Sequence, residues 1–202
     1  QYINNYSLPE LQDFIESYES NNLPLLNIVI LRNITVEAIT PYLQYFSLRM
    51  GFNANIKFGG YDNVLQDALN KESNFLNKGT DCVMVFSKLE TLSPKLANNF
   101  TQLESPEIEK EKDYIKNYIV TILSGIRSKT SAIINWHSFE LPINPAFGII
   151  DHTSSSMQTS TINELNEFLK YQLQEITNGY FIDINISRAL VGVKQFYDNR
   201  YW

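Results

Sequence analysis

The sequence predicts an α/β fold, a three-layer αβα arrangement around a five-stranded parallel sheet. Five short apolar runs alternate along the chain with amphipathic helical patterns. Most of these runs lack a clean alternation of apolar and polar residues, which is typical of strands that are covered on both faces. Strands that alternate with helices imply right-handed crossovers, and a sheet of this size suits the flavodoxin-like strand order 2-1-3-4-5.

The apolar runs give the expected strands, which are Leu26–Leu31, Asn53–Phe58, Asp81–Ser87, Ala132–His137 and Gly179–Asn185. The second run alternates more than the others, so we expect it at an edge of the sheet. An irregular stretch from Leu141 to Gln158 contains two prolines and a serine run, and it predicts a long loop after the fourth strand.

Capping signals predict where the first helices begin and end. Ser7 and Glu10 have the spacing of a capping box, which predicts a helix before the first strand. Thr35 is the expected cap of a helix that runs to Met50, with Gly51 as the residue that ends it.

Similar signals mark the later helices. Ser105 before Pro106 predicts the start of the longest helix, since proline is favoured in a first turn. Thr161 and Glu164 predict a capping box at the start of the last long helix. A shorter helix is expected over Asp62–Asn70.

Composition excludes several classes of protein. The chain has 202 residues and a net charge of −6, which argues against a general nucleic-acid binder. No apolar run approaches the ~18 residues that a membrane span needs. The single cysteine, Cys82, excludes an internal disulfide and is compatible with the cytoplasm, where we expect the protein. We expect one domain over residues 1–202, with a helical lead-in over 1–24, cut from a longer chain.

Ligands of such sheets bind outside the carboxyl ends of the strands, which selects the candidate site residues. These candidates are Asn33, Thr35, Gly59, Gly60, Tyr61, Ser87, His137, Asn185 and Arg188. The two histidines, His137 and His152, are the available bases for histidine chemistry, and a structural role is the alternative for each. Thr35 is a helix cap or a nucleophile. The two adjacent glycines form a tight turn or an oxyanion site. No metal site is expected in this domain.

Several segments resemble the FkbH-like family over most of the chain, from about Leu25 to Trp202. They are Asn27–Tyr45, the turn Gly59–Asp62, Phe139–Pro142, Ile162–Asn166, and the closing Ile182-Asp183, Gly192 and Tyr197–Trp202. The resemblance implies an N-terminal domain similar to SGNH hydrolases, followed by a haloacid-dehalogenase-type phosphatase domain. In that family the second domain passes a glyceryl group to an acyl carrier protein, in polyketide or surface-polysaccharide biosynthesis. Mg²⁺ would belong to that downstream domain, and none of the family's cofactors to this one.

The SGNH pattern is only partly present in this sequence. Those hydrolases place a serine after the first strand, where this chain has Asn33-Ile34-Thr35. Gly59 or Gly60 matches their oxyanion donor. Asp183 matches the aspartate of their D-x-x-H block, but Ile186 stands where the histidine would be. A serine-type esterase needs a base within hydrogen-bond reach of its nucleophile, so this comparison predicts a domain without ordinary hydrolase activity.

The leading hypothesis is a catalytically degenerate module that binds a carrier protein, an acyl or glyceryl group, or the adjacent phosphatase-type domain. One alternative is an esterase or acyltransferase with a rebuilt site, in which Thr35 is the nucleophile, His137 or His152 the base, and Gly60 an oxyanion donor. Another alternative is a structural or oligomerisation module.

Overall fold

The protein is described by a computed structural model, which covers residues 7–18, 22–70 and 76–196. The five strands within these residues are parallel and follow the order β2-β1-β3-β4-β5, as predicted. The strands are β1 Leu25–Arg32, β2 Asn53–Tyr61, β3 Cys82–Phe86, β4 Ile133–His137 and β5 Gly179–Ile182. The alternating strand β2 lies at an edge of the sheet, also as predicted.

The helices are α1 Leu8–Ser17, α2 Thr40–Arg49, α3 Val64–Leu69, α4 Leu89–Leu92, α5 Pro94–Asn98, α6 Ser105–Arg127, α7 Gln158–Gln174, α8 Ile184–Val191 and α9 Val193–Phe196. The two short helices α4 and α5, which follow β3, were not predicted from the sequence. Single turns of 3-10 helix lie at Glu37–Ile39, Phe100–Gln102 and Gly148–Ile150. None of the helices in the described ranges is long and apolar enough to cross a membrane.

The larger hydrophobic core lies between the sheet and helices α3, α6 and α7. Ile115, Ile119 and Ile122 of α6 are fully buried against it, at the helical spacing that predicts one apolar face. Trp136 from β4 and Phe139 from the following loop are the largest fully buried side chains. The residues just past the carboxyl end of β4 are therefore held by the core.

The opposite face of the sheet is covered unevenly. Helices α1 and α2 pack together over β1 and β2, where Leu11, Ile30 and Tyr45 are buried. Over β4 and β5 the apolar side chains are exposed: Ile133 by 41%, Tyr180 by 54% and Ile182 by 42%. We call this exposed part, defined by Ile133, Tyr180 and Ile182, the open face. Parallel sheets are normally covered on both sides, so the open face is unusual.

Two of the predicted helix caps are confirmed. The Ser7 side chain accepts the Glu10 backbone N–H, and the Glu10 carboxylate accepts the Ser7 backbone N–H, as a capping box requires. Gly51 ends α2 with a φ of +84°, a left-handed conformation that glycine adopts readily.

Two other predicted caps are wrong. Glu104 rather than Ser105 caps α6, and its backbone N–H donates to Glu107 in a reciprocal box. Helix α7 begins at Gln158, so Thr161 lies inside it. The reason is tertiary: a carboxylate oxygen of Asp151, in the long loop, accepts a 2.6 Å hydrogen bond from the Thr159 N–H of the first turn.

The fifth strand is shorter than predicted. It ends at Ile182 because the Asp183 side chain accepts the backbone N–H of Asn185 and starts α8. Asn185, which the sequence analysis placed on a strand, therefore belongs to a helix. The closing segment 197–202 of the family resemblance lies outside the described residues.

Candidate functional site

The carboxyl ends of the strands bring several candidate residues into one row. Arg32 pairs in register with Tyr61 on one side and with Phe86 on the other, and His137 pairs with Ile182. The Phe86 and His137 rings lie 5.4 Å apart between centroids, which joins the two halves of the row. This edge is where ligands bind in open α/β sheets.

Arg32 is held by its neighbours in this row. Its guanidinium lies 2.6 Å from the Glu37 carboxylate and over the rings of Phe58 and Tyr61, at 5.1 and 5.8 Å. Tyr61, a predicted ligand-edge residue, is itself 61% exposed and contributes its ring to this stack. The arrangement fixes the arginine by cation–π contacts and one ion pair.

Asn33 connects two strand ends. Its side-chain oxygen accepts the Lys88 N–H at 2.7 Å, and its amide donates to the Lys88 carbonyl at 3.2 Å. Asn33 is 1% exposed. It therefore holds the loop after β3 against the end of β1, and both ends of its amide are engaged in doing so.

Thr35 does not cap a helix, so that prediction is wrong. A 3-10 turn precedes α2, its capping position is Val36, and no side chain caps it. The Val36 N–H donates instead to the carboxylate of Glu37. Thr35 is exposed, and within the described ranges its hydroxyl makes no hydrogen bond to His137 or His152.

Gly59 and Gly60 lie within the end of β2 and not in a separate turn. The Gly60 N–H, a predicted oxyanion donor, donates at 2.8 Å to the carboxylate of Asp67. A Cβ on Gly59 would lie 2.5 Å from the same carboxylate, so glycine is needed there for close packing. Burial raises the pKa of Asp67, and the Gly60 N–H and Lys129 oppose this shift. In this arrangement the Gly60 donor already has an acceptor.

Ser87 faces the larger core, on the side of the sheet away from His137. It is fully buried and lies beside the Tyr118 side chain. Burial raises the pKa of the nearby Tyr118 to about 12, and Ser87 opposes this shift. Since strand neighbours alternate sides, Ser87 is separated by the sheet from the row that contains His137.

His137 is 6% exposed and is neutral in its surroundings. Burial lowers the pKa of its imidazole, and the Ser138 carbonyl opposes this shift. That carbonyl accepts the Nδ1–H at 2.7 Å, which leaves the unprotonated Nε2 as an acceptor. Nε2 has no partner among the described residues. The imidazole is thus in the form of a base, but no described hydroxyl is hydrogen-bonded to its Nε2.

Asp183 and Asn185 form a network that holds the loop after β4. The Ser138 hydroxyl donates to Asp183 and accepts from the Asn185 amide, at 3.4 and 3.1 Å. The Asn185 oxygen accepts the Leu141 N–H at 3.0 Å. Asp183 thus caps a helix and orients a serine, and no described contact joins it to a histidine.

Two pockets open beside this network. One, of about 290 Å³, is lined by Glu90 and Glu140 together with apolar residues of the long loop. Burial raises the pKa of Glu140, while Lys88 and Arg188 oppose this shift. The other, of about 330 Å³, lies between the long loop and α8 and is bordered by His152 and Arg188. His152 is exposed.

Sequence reasoning missed two residues of this edge, Ser138 and Glu140. Both directly follow the fourth strand, and that position was the available signal. Within residues 7–18, 22–70 and 76–196, no group of three His, Cys, Asp or Glu side chains could hold a metal ion.

Comparison with known proteins extends the fold assignment. No family model matches the sequence, and no curated protein shows significant similarity to it. The fold matches a solved structure of the N-terminal part of the protein BF1531 from Bacteroides fragilis, which contains a phosphatase domain complexed with Mg. The TM-score is 0.77 and the sequence identity 16%.

This match covers 97% of the present chain but 50% of the solved one, so the chain spans about half the length of that structure. At such low identity the likeness shows the fold, and it agrees with the predicted three-layer αβα class. The solved protein is also one in which this fold occurs in the same polypeptide as a phosphatase domain.

Proposed function

We propose that this chain is a non-catalytic module that works beside a phosphatase-type domain of the same polypeptide, and that its edge residues bind rather than catalyse. The observation that carries the proposal is the separation of the catalytic groups. Thr35 is exposed and makes no hydrogen bond to either histidine within the described residues, which supports the absence of a nucleophile–base pair.

The remaining SGNH-like positions support the same conclusion. The Asp183 carboxylate accepts hydrogen bonds from the Asn185 N–H and the Ser138 hydroxyl. Ile186 stands where a histidine base would be. The Gly60 N–H already donates to Asp67. Of the SGNH-like positions, the aspartate and the glycine donor are therefore already hydrogen-bonded within the domain, and the histidine is replaced.

The open face supports contact with a companion domain. Ile133, Tyr180 and Ile182 are exposed side by side over two strands, where a parallel sheet is normally covered. Exposed apolar patches of this kind often mark interaction sites. We assign the phosphatase-type domain as the occupant, because the solved structure with this fold also contains such a domain.

The finer part of the proposal follows the FkbH-like resemblance. There the phosphatase-type domain loads a glyceryl group onto an acyl carrier protein in polyketide or surface-polysaccharide biosynthesis, a cytoplasmic process. The role proposed for the present module is to hold the carrier protein, or the acyl or glyceryl group that it carries, close to that domain.

Hydrolysis of p-nitrophenyl acetate tests the absence of catalysis. We expect no turnover above that of the buffer, and no change in Thr35→Ala or His137→Ala. Ser154→Ala, in the exposed serine run, is the matched control. Robust turnover that both Thr35→Ala and His137→Ala abolish, and Ser154→Ala does not, would establish the rebuilt Thr/His esterase instead.

Light scattering and a carrier-protein pull-down separate the proposal from a purely structural or oligomerisation module. We expect a monomer that retains a carrier protein. A dimer that Tyr180→Lys dissociates, and that fails to retain any carrier protein, would favour the structural module. Tyr114→Lys is the matched control, because Tyr114 is equally exposed, at 52%, on α6 and away from the open face.

A further inference from the structure

Arg188 of α8 is a buried cation with few partners. The residue is 8% exposed, and one of its Nη atoms donates to the Leu141 carbonyl. Among residues 7–18, 22–70 and 76–196, the other guanidinium donors have no hydrogen-bond partner and no carboxylate lies within ion-pair distance. These donors are not among the enclosed polar atoms that lack a partner, so solvent reaches them.

The carboxylates around Arg188 do not neutralise it. Glu140 interacts with it electrostatically, but the two side chains form no ion pair. The two oxygens of Asp151 accept the Phe147 and Thr159 N–H groups, at 3.0 and 2.6 Å, and so are already engaged. The solvent-accessible guanidinium donors of Arg188 are therefore available to an anion that enters from solvent.

Arg188 borders the pocket of about 330 Å³ between the long loop and α8. The walls of this pocket are mainly apolar and include Leu141, Pro142, Pro145, Ile149, Ala189 and Val193. The volume is at the lower end of the ~300–1,000 Å³ that is typical of small-molecule sites. An apolar pocket with one convergent charged group fixes the head of a ligand and accepts a short apolar body.

We infer that this pocket binds a small amphipathic anion, with its carboxylate or phosphate head group on the free donors of Arg188 and a short hydrocarbon body along the apolar wall. Guanidinium groups suit both head groups because their paired donors match two acceptor oxygens. A small amphipathic anion would then be the class of ligand that binds at the carboxyl edge of the sheet. This assignment rests on the binding role proposed above.

Isothermal titration calorimetry with four probes of equal chain length tests this inference. We expect hexanoate or hexyl phosphate to bind at one site per chain. Hexanol and hexylammonium should bind about 10- to 100-fold more weakly, because they lack the charge-assisted hydrogen bonds to Arg188. The relative affinity of the two anions then shows which head group is preferred. Equal binding of hexanol, preference for hexylammonium, or no binding of either anion would overturn the inference.

Variants locate the site. Arg188→Met keeps the length of the side chain and should weaken anion binding by about the same 10- to 100-fold factor. Ala189→Phe fills the pocket without removing the arginine and should also abolish binding, so the test holds even if Arg188→Met fails to fold. Ser187→Phe is the matched control, as an exposed residue of the same helix that does not line the pocket. Unchanged binding in Ala189→Phe would place the anion elsewhere and overturn the inference.

The proposed absence of catalysis is tested separately. A chain that binds neither anion but also hydrolyses no ester would overturn this inference alone. A chain that binds hexanoate and cleaves p-nitrophenyl acetate would overturn the non-catalytic role alone.

Discussion

Replacing Asn33 with alanine tests whether a candidate ligand residue in fact holds the edge of the sheet together. In the structure the Asn33 side chain accepts the Lys88 N–H and donates to the Lys88 carbonyl. Leu92 also donates to that carbonyl, so the carbonyl would keep one partner in the variant. The N–H would lose the acceptor that Asn33 provides.

The expected cost follows from these two losses. Losing each of these two hydrogen bonds costs ~0.5–1.5 kcal/mol. We therefore expect Asn33→Ala to lower the free energy of unfolding by about 1 to 3 kcal/mol, which corresponds to roughly 2 to 10 °C in Tm for a chain of this size.

Urea denaturation followed by circular dichroism measures this change. The matched control is Asn117→Ala, an exposed asparagine in the middle of α6. This control should lose no stability, because alanine has the higher helix propensity. A loss of less than about 1 kcal/mol in Asn33→Ala would refute the structural role, since it would mean that water replaces the bridge without cost.

Three further predictions concern residues around the sheet. Burial lowers the pKa of His137, so on acidification this histidine takes up a proton in the unfolded chain before it does so in the folded chain. The free energy of unfolding should therefore fall as the pH drops below about 6.5, by at most ~1.4 kcal/mol per pH unit. Urea titrations at several pH values should show a smaller acid-induced loss in His137→Phe, and an identical loss would contradict this. A Cβ on Gly125 would lie 2.7 Å from the Ala68 carbonyl oxygen of α3, so Gly125→Ala should lower Tm. The matched control Ser124→Ala, at an exposed position of the same helix, should leave Tm unchanged. Burial raises the pKa of the Cys82 thiol to about 11, so the folded chain should react with iodoacetamide at neutral pH far more slowly than the urea-unfolded chain, and equal rates would count against the buried position.

The fold was predictable because its signals are local and repeated. Apolar runs and helical stripes recur along the chain, and their alternation predicts a doubly wound parallel sheet, for which the observed strand order is a common one. Caps were predictable only where both partners are close in sequence, as for Ser7 and Glu10. The start of α7 depends on Asp151, whose contact with the Thr159 N–H requires the folded loop.

The candidate site was predictable in position but not in role. The rule that ligands bind at the carboxyl ends of strands selected Asn33, His137, Asn185 and Arg188, and all four lie at that edge. Sequence spacing could not show that both ends of the Asn33 amide are engaged, or that Arg188 is buried beside an apolar pocket. Those properties arise from contacts between residues about 50 positions apart, such as Asn33 with Lys88, at a separation of 55, and Arg188 with Leu141, at 47.

Labelling with a fluorophosphonate probe tests most directly whether this scaffold lacks an activated nucleophile. The probe reacts with a hydroxyl only when a neighbouring base raises its nucleophilicity. Intact mass spectrometry should show no adduct on the folded chain after prolonged incubation. A stoichiometric adduct that maps to Thr35 and disappears in His137→Ala would contradict the non-catalytic role.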